Sequence, residues 1–491
     1  MFTKNHLYFV LAIALVLRVI TLGSYATWDD EKVSIAEANG ISNFQFVPKI
    51  IFTNNQIKEH NTIKNVIFSN VQDDGGNGIL YAISLHYWSC LFGNTDFFVR
   101  LFSVLLGVLL IWLIYLLSNE MFSNKSLSIL ISGLAAIHPQ LITYAQEARA
   151  YSLALVLTIS ATLTLLKIIK ENNFNVKHLI IYALFSAAAI LSHYSTVYIF
   201  IAHFFILVFL TKINFKNWVK LIGSGLIAVL IVILWFYKFG FSGLDIIAKR
   251  NQHYSELALT NPTNPFYMKT GIYSIAAGWM QTILVFSGNT LMNLGWRILF
   301  IMPLLIIPMV IIIKGLKCST QHSSIALKTI FILTISSLVY ATIMSLIAGH
   351  IIPFQQSYAI FSTPYFIMLL GVSIFWLFHS SNNSNRYGTN VFIFSQLAIM
   401  TFSFITIYFG FDSHTKVGNN YEALSAKISE LTTSENLDLT IVYKEAKIAI
   451  EINKYLDKNL GNVKQVIDST GTNPQLYLQF TNGRKQTLML E

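Results

Sequence analysis

Eleven apolar stretches recur along this 491-residue chain, several of them as long as the roughly 20 residues that cross a bilayer as a helix, and they leave few folds open to it. They cover residues 6–26, 98–118, 126–144, 150–170, 178–193, 195–211, 217–237, 292–313, 326–349, 357–378 and 390–411. With 54% hydrophobic and 11% charged residues, the chain is expected to be a polytopic α-helical membrane protein. The first stretch, LYFVLAIALVLRVITLGSYA, is longer and poorer in small residues than a cleaved signal peptide, and is expected to remain as a helix.

A net charge of +10 would suit nucleic acid, but the basic residues sit in short loops between apolar runs, so no nucleic-acid partner is expected. With the N-terminus inside, Lys4, Lys125, the lysines at 167–177, those at 212–220, those at 314–328 and Arg386 fall on the inner side. The short outer loops hold Arg149 alone, a positive-inside pattern. The apolar stretch 271–291 would invert the later topology if it crossed, and the lysines at 314–328 place it in the outer interface instead. Three larger pieces then lie outside: residues 27–97, residues 238–291 and the tail. We therefore divide the chain into a membrane domain over 1–411 and a small extracytoplasmic α/β domain over 412–491, whose runs LTIVY and LYLQF read as strands. Cys90 and Cys318 fall on opposite sides of the membrane, which excludes an internal disulfide.

A chain this poor in charge nevertheless places Asp29, Asp30 and Glu31 together in TWDDEKVS, directly beyond its first helix. They are either a solvated flank beside the interfacial Trp28 or a reactive carboxylate group at the bilayer surface. A second polar group on the same side, in HPQLITYAQEARAYSLALV, offers Glu147, Arg149 and Tyr151, of which Glu147 and Tyr151 would share a helical face. It is either a local ion pair or an oriented carboxylate beside a phosphate-binding cation. Arg100 enters the second span from outside, where it either snorkels to headgroups or, if buried, needs an anionic partner. His193 and Tyr194 occupy a tight outer turn; Lys249, Arg250 and His253 form a basic patch in the second large loop. That patch either is solvated, contacts anionic headgroups of membrane lipids, or clamps a lipid phosphate. The run DDGGNG at 73–78 lacks the ligands of a calcium loop and the Lys of a phosphate-binding loop, and reads as a turn.

The order of these features, an acidic pair after the first helix, then LYAISLHYWSCLFGNTDFFVRLF, HPQLITYAQEARAY and LSHYSTVYIF, resembles the GT-C glycosyltransferases. Within them it is similar to the group of protein O-mannosyltransferases, lipid A aminoarabinose transferases and bacterial lipopolysaccharide sugar transferases, over roughly residues 1–240. The resemblance implies that Asp30 and Glu31 form the family's Asp-Glu motif, preceded here by Asp29, that Glu147 is its second acidic site, and that Arg100, Arg149 and Tyr151 face donor phosphate. His193 and Tyr194 match its HY turn. Tyr81 closes a segment where the family has His-Pro-Pro-Leu-Tyr and this chain has Asn77, Gly78, Ile79, Leu80 and Tyr81. Ser357 and Tyr358 stand where relatives carry Arg-Tyr.

The reaction so implied moves a sugar from a polyprenyl-phosphate donor to a glycan, lipid or protein acceptor outside a bacterial cytoplasmic membrane. Asp30 is the expected general base, a role typically worth roughly 10² to 10⁴ in rate. Glu31 and Glu147 would orient the acceptor or stabilise developing positive charge, with Asp29, His193, Tyr194 and Tyr81 touching sugar or acceptor. Arg100, Arg149, Tyr151, Lys249 and Arg250 would bind the lipid-phosphate donor. No obligatory cofactor is expected, although Asp30 with Glu31 has the oxygen ligands for a divalent cation. A transporter or flippase would instead show internal repeats and midplane charges, and a polysaccharide polymerase or ligase would use diphosphate-linked glycans.

Overall fold

The computed structural model describes residues 4–20, 22, 27–42, 49–53, 62–260, 268–288, 298–319, 324–379, 386–409, 424–430, 439–443, 464–468, 476–480 and 485–487. Helices α1 (Lys4–Val19) and α2 (Asp29–Ala38) are followed by α3 (Ile63–Asp74), α4 (Ile79–Phe92), α5 (Asp96–Phe122) and α6 (Lys125–Ala136). Next come α7 (Tyr151–Lys170), α8 (Val176–Ser192), α9 (Val197–Leu210), α10 (Phe215–Trp235) and α11 (Phe241–Thr260). The series ends with α12 (Ile272–Phe286), α13 (Ile298–Ser319), α14 (Ser324–Ala348), α15 (Thr363–His379) and α16 (Arg386–Phe409).

Each of the eleven apolar stretches corresponds to one of these helices. Among the described residues, five helical segments are long and apolar enough to cross a membrane, and the chain is a multi-pass membrane protein. Several helix starts are written in short polar side chains. The N–H of Leu127 donates to Asn124 Oδ1 (3.0 Å), that of His178 to Asn175 Oδ1 (2.9 Å) and that of Asn217 to Asn214 Oδ1 (2.9 Å), each satisfying a donor the helix leaves open. Helix α15 is almost wholly buried and packs against α6, α13 and α14. Gly315 of α13 makes one of these crossings close, because a Cβ there would meet Ser373 Cα at 2.4 Å. A buried polar chain ties α7, α8, α9 and α15. Thr162 Oγ1 lies 2.6 Å from Tyr365 OH and 3.0 Å from His203 Nε2, and His203 Nδ1 lies 3.1 Å from Tyr182 OH.

Among the boundaries that differ from those read in the sequence, two shape the surroundings of the site. The third stretch was expected to remain helical through residue 144, but α6 ends at Ala136. Pro139, which has no N–H to continue the ladder, opens a separate five-residue helix, and residues 144–150 leave helical geometry. The seventh helix does not stop near residue 237. It passes through a π-helical turn, Phe236–Gly240, into α11, so much of the second large loop is helix. Helix α12, the stretch of ambiguous topology, has 15 residues and packs Ile275 with Met268, Ile351 and Phe354. That is short of the roughly 20 residues of a spanning helix.

A five-stranded sheet lies in order β1-β3-β2-β4-β5, with β1 (Lys49–Thr53), β2 (Leu439–Tyr443), β3 (Lys464–Asp468), β4 (Leu476–Phe480) and β5 (Lys485–Thr487). The runs LTIVY and LYLQF are β2 and β4, as their alternation predicts. Strand β1 comes from the first large loop. It pairs antiparallel with β3, Lys49 opposite Asp468 and Thr53 opposite Lys464.

The turn after α3 is fixed by glycine. Gly75 caps the helix at φ +64°, a conformation that a side chain disfavours, and a Cβ on it would meet Gly243 O at 2.7 Å. Reciprocally, a Cβ on Gly243 would meet Gly75 O at 2.4 Å, so α3 and α11 touch through bare backbone. Gly243→Ala should therefore destabilise the protein by about 1–3 kcal/mol. Thermal unfolding in detergent checks this, and an unchanged midpoint would contradict the close approach.

Candidate functional site

Helix α2 starts at an acidic run because its third residue closes its own first turn. The Trp28 N–H donates to Glu31 Oε2 at 3.2 Å, the reciprocal half of a capping box. The same carboxylate is fully used inward. Arg100 donates through Nε to Glu31 Oε1 (2.8 Å) and through Nη2 to Oε2 (2.7 Å), and the Ala148 N–H donates to Oε1 (2.8 Å). Both residues are buried, and Arg100 also donates to the Leu22 carbonyl at 3.2 Å. Arg100 thus finds the anionic partner its depth requires within the protein. Glu31 and Arg100, expected at substrate, face each other.

Ala148 sits in the non-helical segment between α6 and α7. Glu147 and Tyr151 were expected on one helical face, but 144–150 is a run of turns in which the Arg149 N–H donates to Glu147 O at 2.8 Å. The backbone leaves the helix there, and the Ala148 N–H it frees is the one Glu31 takes. Arg149 is carried to the N-terminal half of α2, where Nη1 donates to Asp30 O (3.1 Å) and Ser34 Oγ (2.9 Å). Its Nη2 lies 4.0 Å from Asp30 Oδ2, on a side chain that is 49% exposed.

A cleft of about 270 Å³, open solvent included, runs along this face of α2. Arg149, Tyr151, Tyr81 and His193, all expected at the site, line it together with Ser34, Glu37 and Asp74. Tyr81 is fixed by a 2.9 Å hydrogen bond to Ser103 Oγ. His193 stacks among Tyr151, Tyr358 and Phe361, with ring centroids 5.1–6.0 Å away. Burial, and then the Arg149 charge, push its imidazole down to about 3, so it is neutral at physiological pH. Tyr194 holds the glycine turn: its N–H donates to Asn77 Oδ1 (2.9 Å), and its hydroxyl donates to Gly75 O (3.3 Å) and accepts from Trp235 Nε1 (3.3 Å).

Asp74, at the end of α3, lies 3.6 Å from Arg149 Nη1 and 3.2 Å from Arg250 Nη1. Arg250 also donates to Asp73 O. One carboxylate therefore draws together guanidiniums from two distant segments. Burial would raise the Asp74 carboxyl, but Arg149 and Arg250 outweigh it and hold it below its ordinary value. Glu37 differs. Burial, then Asp74 and Asp73, raise it well above its ordinary value, and the Asn70 amide donates to its Oε2 at 3.0 Å. Glu147 is also raised, by burial and then Glu31, against Arg149. Lys249 is exposed and does not line the cleft, and the side chain of Asp29 lies outside the described residues. Among the described residues no three His, Cys, Asp or Glu side chains converge as a metal site requires.

Reading the sequence missed Glu37, Ser34 and Asp74. Asp30, Ser34 and Glu37 follow one another at i, i+4 and i+7, a polar stripe along one helical face that the spacing alone displays.

Residues 78–236 match the family described as dolichyl-phosphate-mannose-protein mannosyltransferase. The resemblance to that glycosyltransferase group is borne out over this stretch, which holds Tyr81, Arg100, Glu147, Arg149, Tyr151, His193 and Tyr194. No curated protein matches the chain. The structure is similar to that of the Archaeoglobus fulgidus oligosaccharyltransferase in its apo form, at 14% identity and a TM-score of 0.48, over 86% of this chain and 57% of that one. The chain thus spans little more than half the length of that enzyme. ArnT from Cupriavidus metallidurans bound to undecaprenyl phosphate is also similar, at 13% identity and a TM-score of 0.46, over 92% of this chain and 75% of that one.

Removing one member of the Glu31–Arg100 pair strands the other. Arg100→Met should cost about 3–5 kcal/mol, and adding Glu31→Met should recover most of it; equal losses in the single and double variants would contradict the pairing. Asp74 and Glu37 act oppositely with pH. The depressed Asp74 carboxyl contributes stability that is present above its unfolded value near 3.8 and lost as pH falls through its folded value. The raised Glu37 carboxyl loses stability as pH rises above 4.5 toward its folded value. Asp74→Asn should lower stability at neutral pH by about 3 kcal/mol and flatten the acid limb of the stability–pH curve, as thermal unfolding across pH would record.

Proposed function

We propose that this protein is a membrane glycosyltransferase that moves a sugar from a polyprenyl-phosphate donor to an envelope acceptor, with Asp30 as general base. The observation that carries the reading is the contrast between adjacent carboxylates. Glu31 accepts hydrogen bonds on both oxygens from inside the protein, whereas Asp30 stands half-exposed beside Arg149, a residue that lines the cleft. The description of the family matched over residues 78–236, dolichyl-phosphate-mannose-protein mannosyltransferase, supports a lipid-monophosphate sugar as donor.

On this reading Arg149 and Arg250, drawn together by Asp74, receive the phosphate as the glycosidic bond breaks. Positive charge fixed before the reaction counts most in a site that excludes water. Asp30 takes the proton of the acceptor hydroxyl while that oxygen attacks C1 from the face opposite the phosphate, so the anomeric centre inverts. Tyr151 supports Arg149, whose guanidinium carbon lies 5.8 Å from the ring centroid. Glu31 and Arg100 hold α2 in place, a positioning role in place of the direct contacts expected of them. Glu147 offers its carbonyl to the Arg149 N–H at 2.8 Å and so serves the turn that presents Arg149. The lysines between spans support a cleft on the outer side of the membrane, which on this reading is a bacterial cytoplasmic membrane, where a flipped lipid donor is the available activated sugar. No metal is needed for this sequence of steps, since two guanidiniums face the leaving group.

The test is turnover of purified protein against a panel of polyprenyl-phosphate sugars, with membrane extract as acceptor and release of polyprenyl phosphate as the signal. Asp30→Asn should lower kcat by roughly 10² to 10⁴ while leaving donor binding intact. Equal turnover by both proteins would remove Asp30 from the mechanism, and lipid movement between leaflets without turnover would replace the transferase reading by a flippase.

A further inference from the structure

The stripe on α2 ends in a group that the reaction above does not use. Glu37 lies seven residues beyond Asp30, about 10 Å along the helix axis, and where Asp30 is half-exposed Glu37 is 3% exposed. Glu37 lines the cleft, and Asp30 stands beside Arg149, which also lines it. Glu37 is held there from one side only. The Asn70 amide donates to Oε2, and the same amide is anchored by donating to the Asn77 carbonyl at 2.9 Å. The other oxygen, Oε1, is buried and has no hydrogen-bond partner among the described residues. Buried oxygens are ordinarily hydrogen-bonded, and leaving one unpaired is destabilising.

We infer that the buried end of this cleft is a subsite for one hydroxyl of the transferred sugar, and that Glu37 Oε1 is the group that hydrogen-bonds it. The inference rests on the transferase reading, and it names what sits in the cleft once C1 is beside Asp30. A sugar ring reaching inward from C1 brings its far hydroxyls toward Glu37, and the enclosed space that Glu37 lines is narrow, suited to a hydroxyl and not to a lipid chain. The neighbourhood suits a hydroxyl. Burial together with Asp74 and Asp73 favours the neutral carboxyl, which donates through one oxygen while the other stays with Asn70. A neutral acid so placed can give a hydrogen bond to a sugar oxygen without bringing a second buried charge to the Asp74 cluster. Discrimination follows from the geometry: a sugar lacking that hydroxyl, or carrying it on the opposite ring face, leaves Oε1 unsatisfied again.

The experiment compares wild type, Glu37→Ala and Glu37→Gln on a matched set of polyprenyl-phosphate donors, namely the preferred sugar, its single deoxy analogues and its epimers, each read as kcat/KM. Binding of sugar-free polyprenyl phosphate is measured alongside as the folding control. Glu37→Ala is expected to lose roughly tenfold to a hundredfold on the preferred donor, and almost nothing on one deoxy analogue. That analogue is the one on which the wild type is itself impaired. Glu37→Gln, which keeps a donor at the same place, should restore most of the preference, and sugar-free lipid phosphate should bind all three proteins alike. A uniform loss across every donor, or a loss that follows the acceptor instead of the sugar, would overturn the subsite. If the wild type turns over none of the donors, the transferase reading fails and the subsite with it. A wild type that turns over while Glu37→Ala keeps its full sugar preference refutes the subsite alone.

Discussion

The ion pair between Glu31 and Arg100 is the contact on which the arrangement around the cleft turns. A carboxylate and a guanidinium removed from water are tolerable only when their remaining hydrogen-bonding capacity is met, and here the geometry meets it. Arg100 presents two parallel N–H groups to the carboxylate and a third to Leu22 O, while Glu31 also accepts from Trp28 and Ala148. Four pieces of chain distant in sequence are joined at one point: the end of the first span, the start of α2, the upper part of α5 and the turn segment before α7. Because the pair is bidentate, it fixes direction as well as distance, and with it the face that α2 turns toward Arg149.

Four carboxyl groups close to that junction have different characters, and their surroundings decide which. Glu31 is consumed by an internal cation, Asp74 is shared between two cations, Glu37 is raised beside other acids, and Asp30 alone is half in water. A residue's type sets what it can do, but its neighbours set what it does. The same holds for the arginines. Arg100 is neutralised within the fold, whereas Arg149 and Arg250 share one carboxylate between them and keep donors to spare.

Much of this was legible in advance, because the constraints are local. Apolar length places the helices, Asn and Thr mark several of their starts, and the alternation in LTIVY and LYLQF marks strands. The segments around Arg149 and His193 announce themselves through polar residues at the ends of apolar runs. What stayed hidden depends on partners far away in the chain. Nothing local distinguishes Asp30 from Glu31 until Arg100 arrives, 69 residues on. DDGGNG reads as a turn, and its last four residues are one while its first two end α3, yet the importance of Asp74 appears only when Arg149 and Arg250 converge on it. Glu37 was readable in principle from the helical stripe it shares with Asp30, and was obscured by the stronger signal of the acidic run before it. Residues 49–53 carry a short β-forming run whose partner is the other end of the protein.

That last pairing has a bearing on how the molecule is made. Strand β1 lies between α2 and α3, the two helices that carry Asp30, Glu37 and Asp74, yet its hydrogen-bonding partner is β3, some 400 residues later. At the usual 5–20 residues per second of synthesis, roughly twenty seconds to over a minute separate the two strands. Throughout that interval the strand has no partner, and every span between must insert before its partner arrives. The segment that bears Asp30, Glu37 and Asp74 is thus among the first parts of the protein to be made and among the last to be completed, which links maturation of the cleft to the arrival of the C-terminal strands.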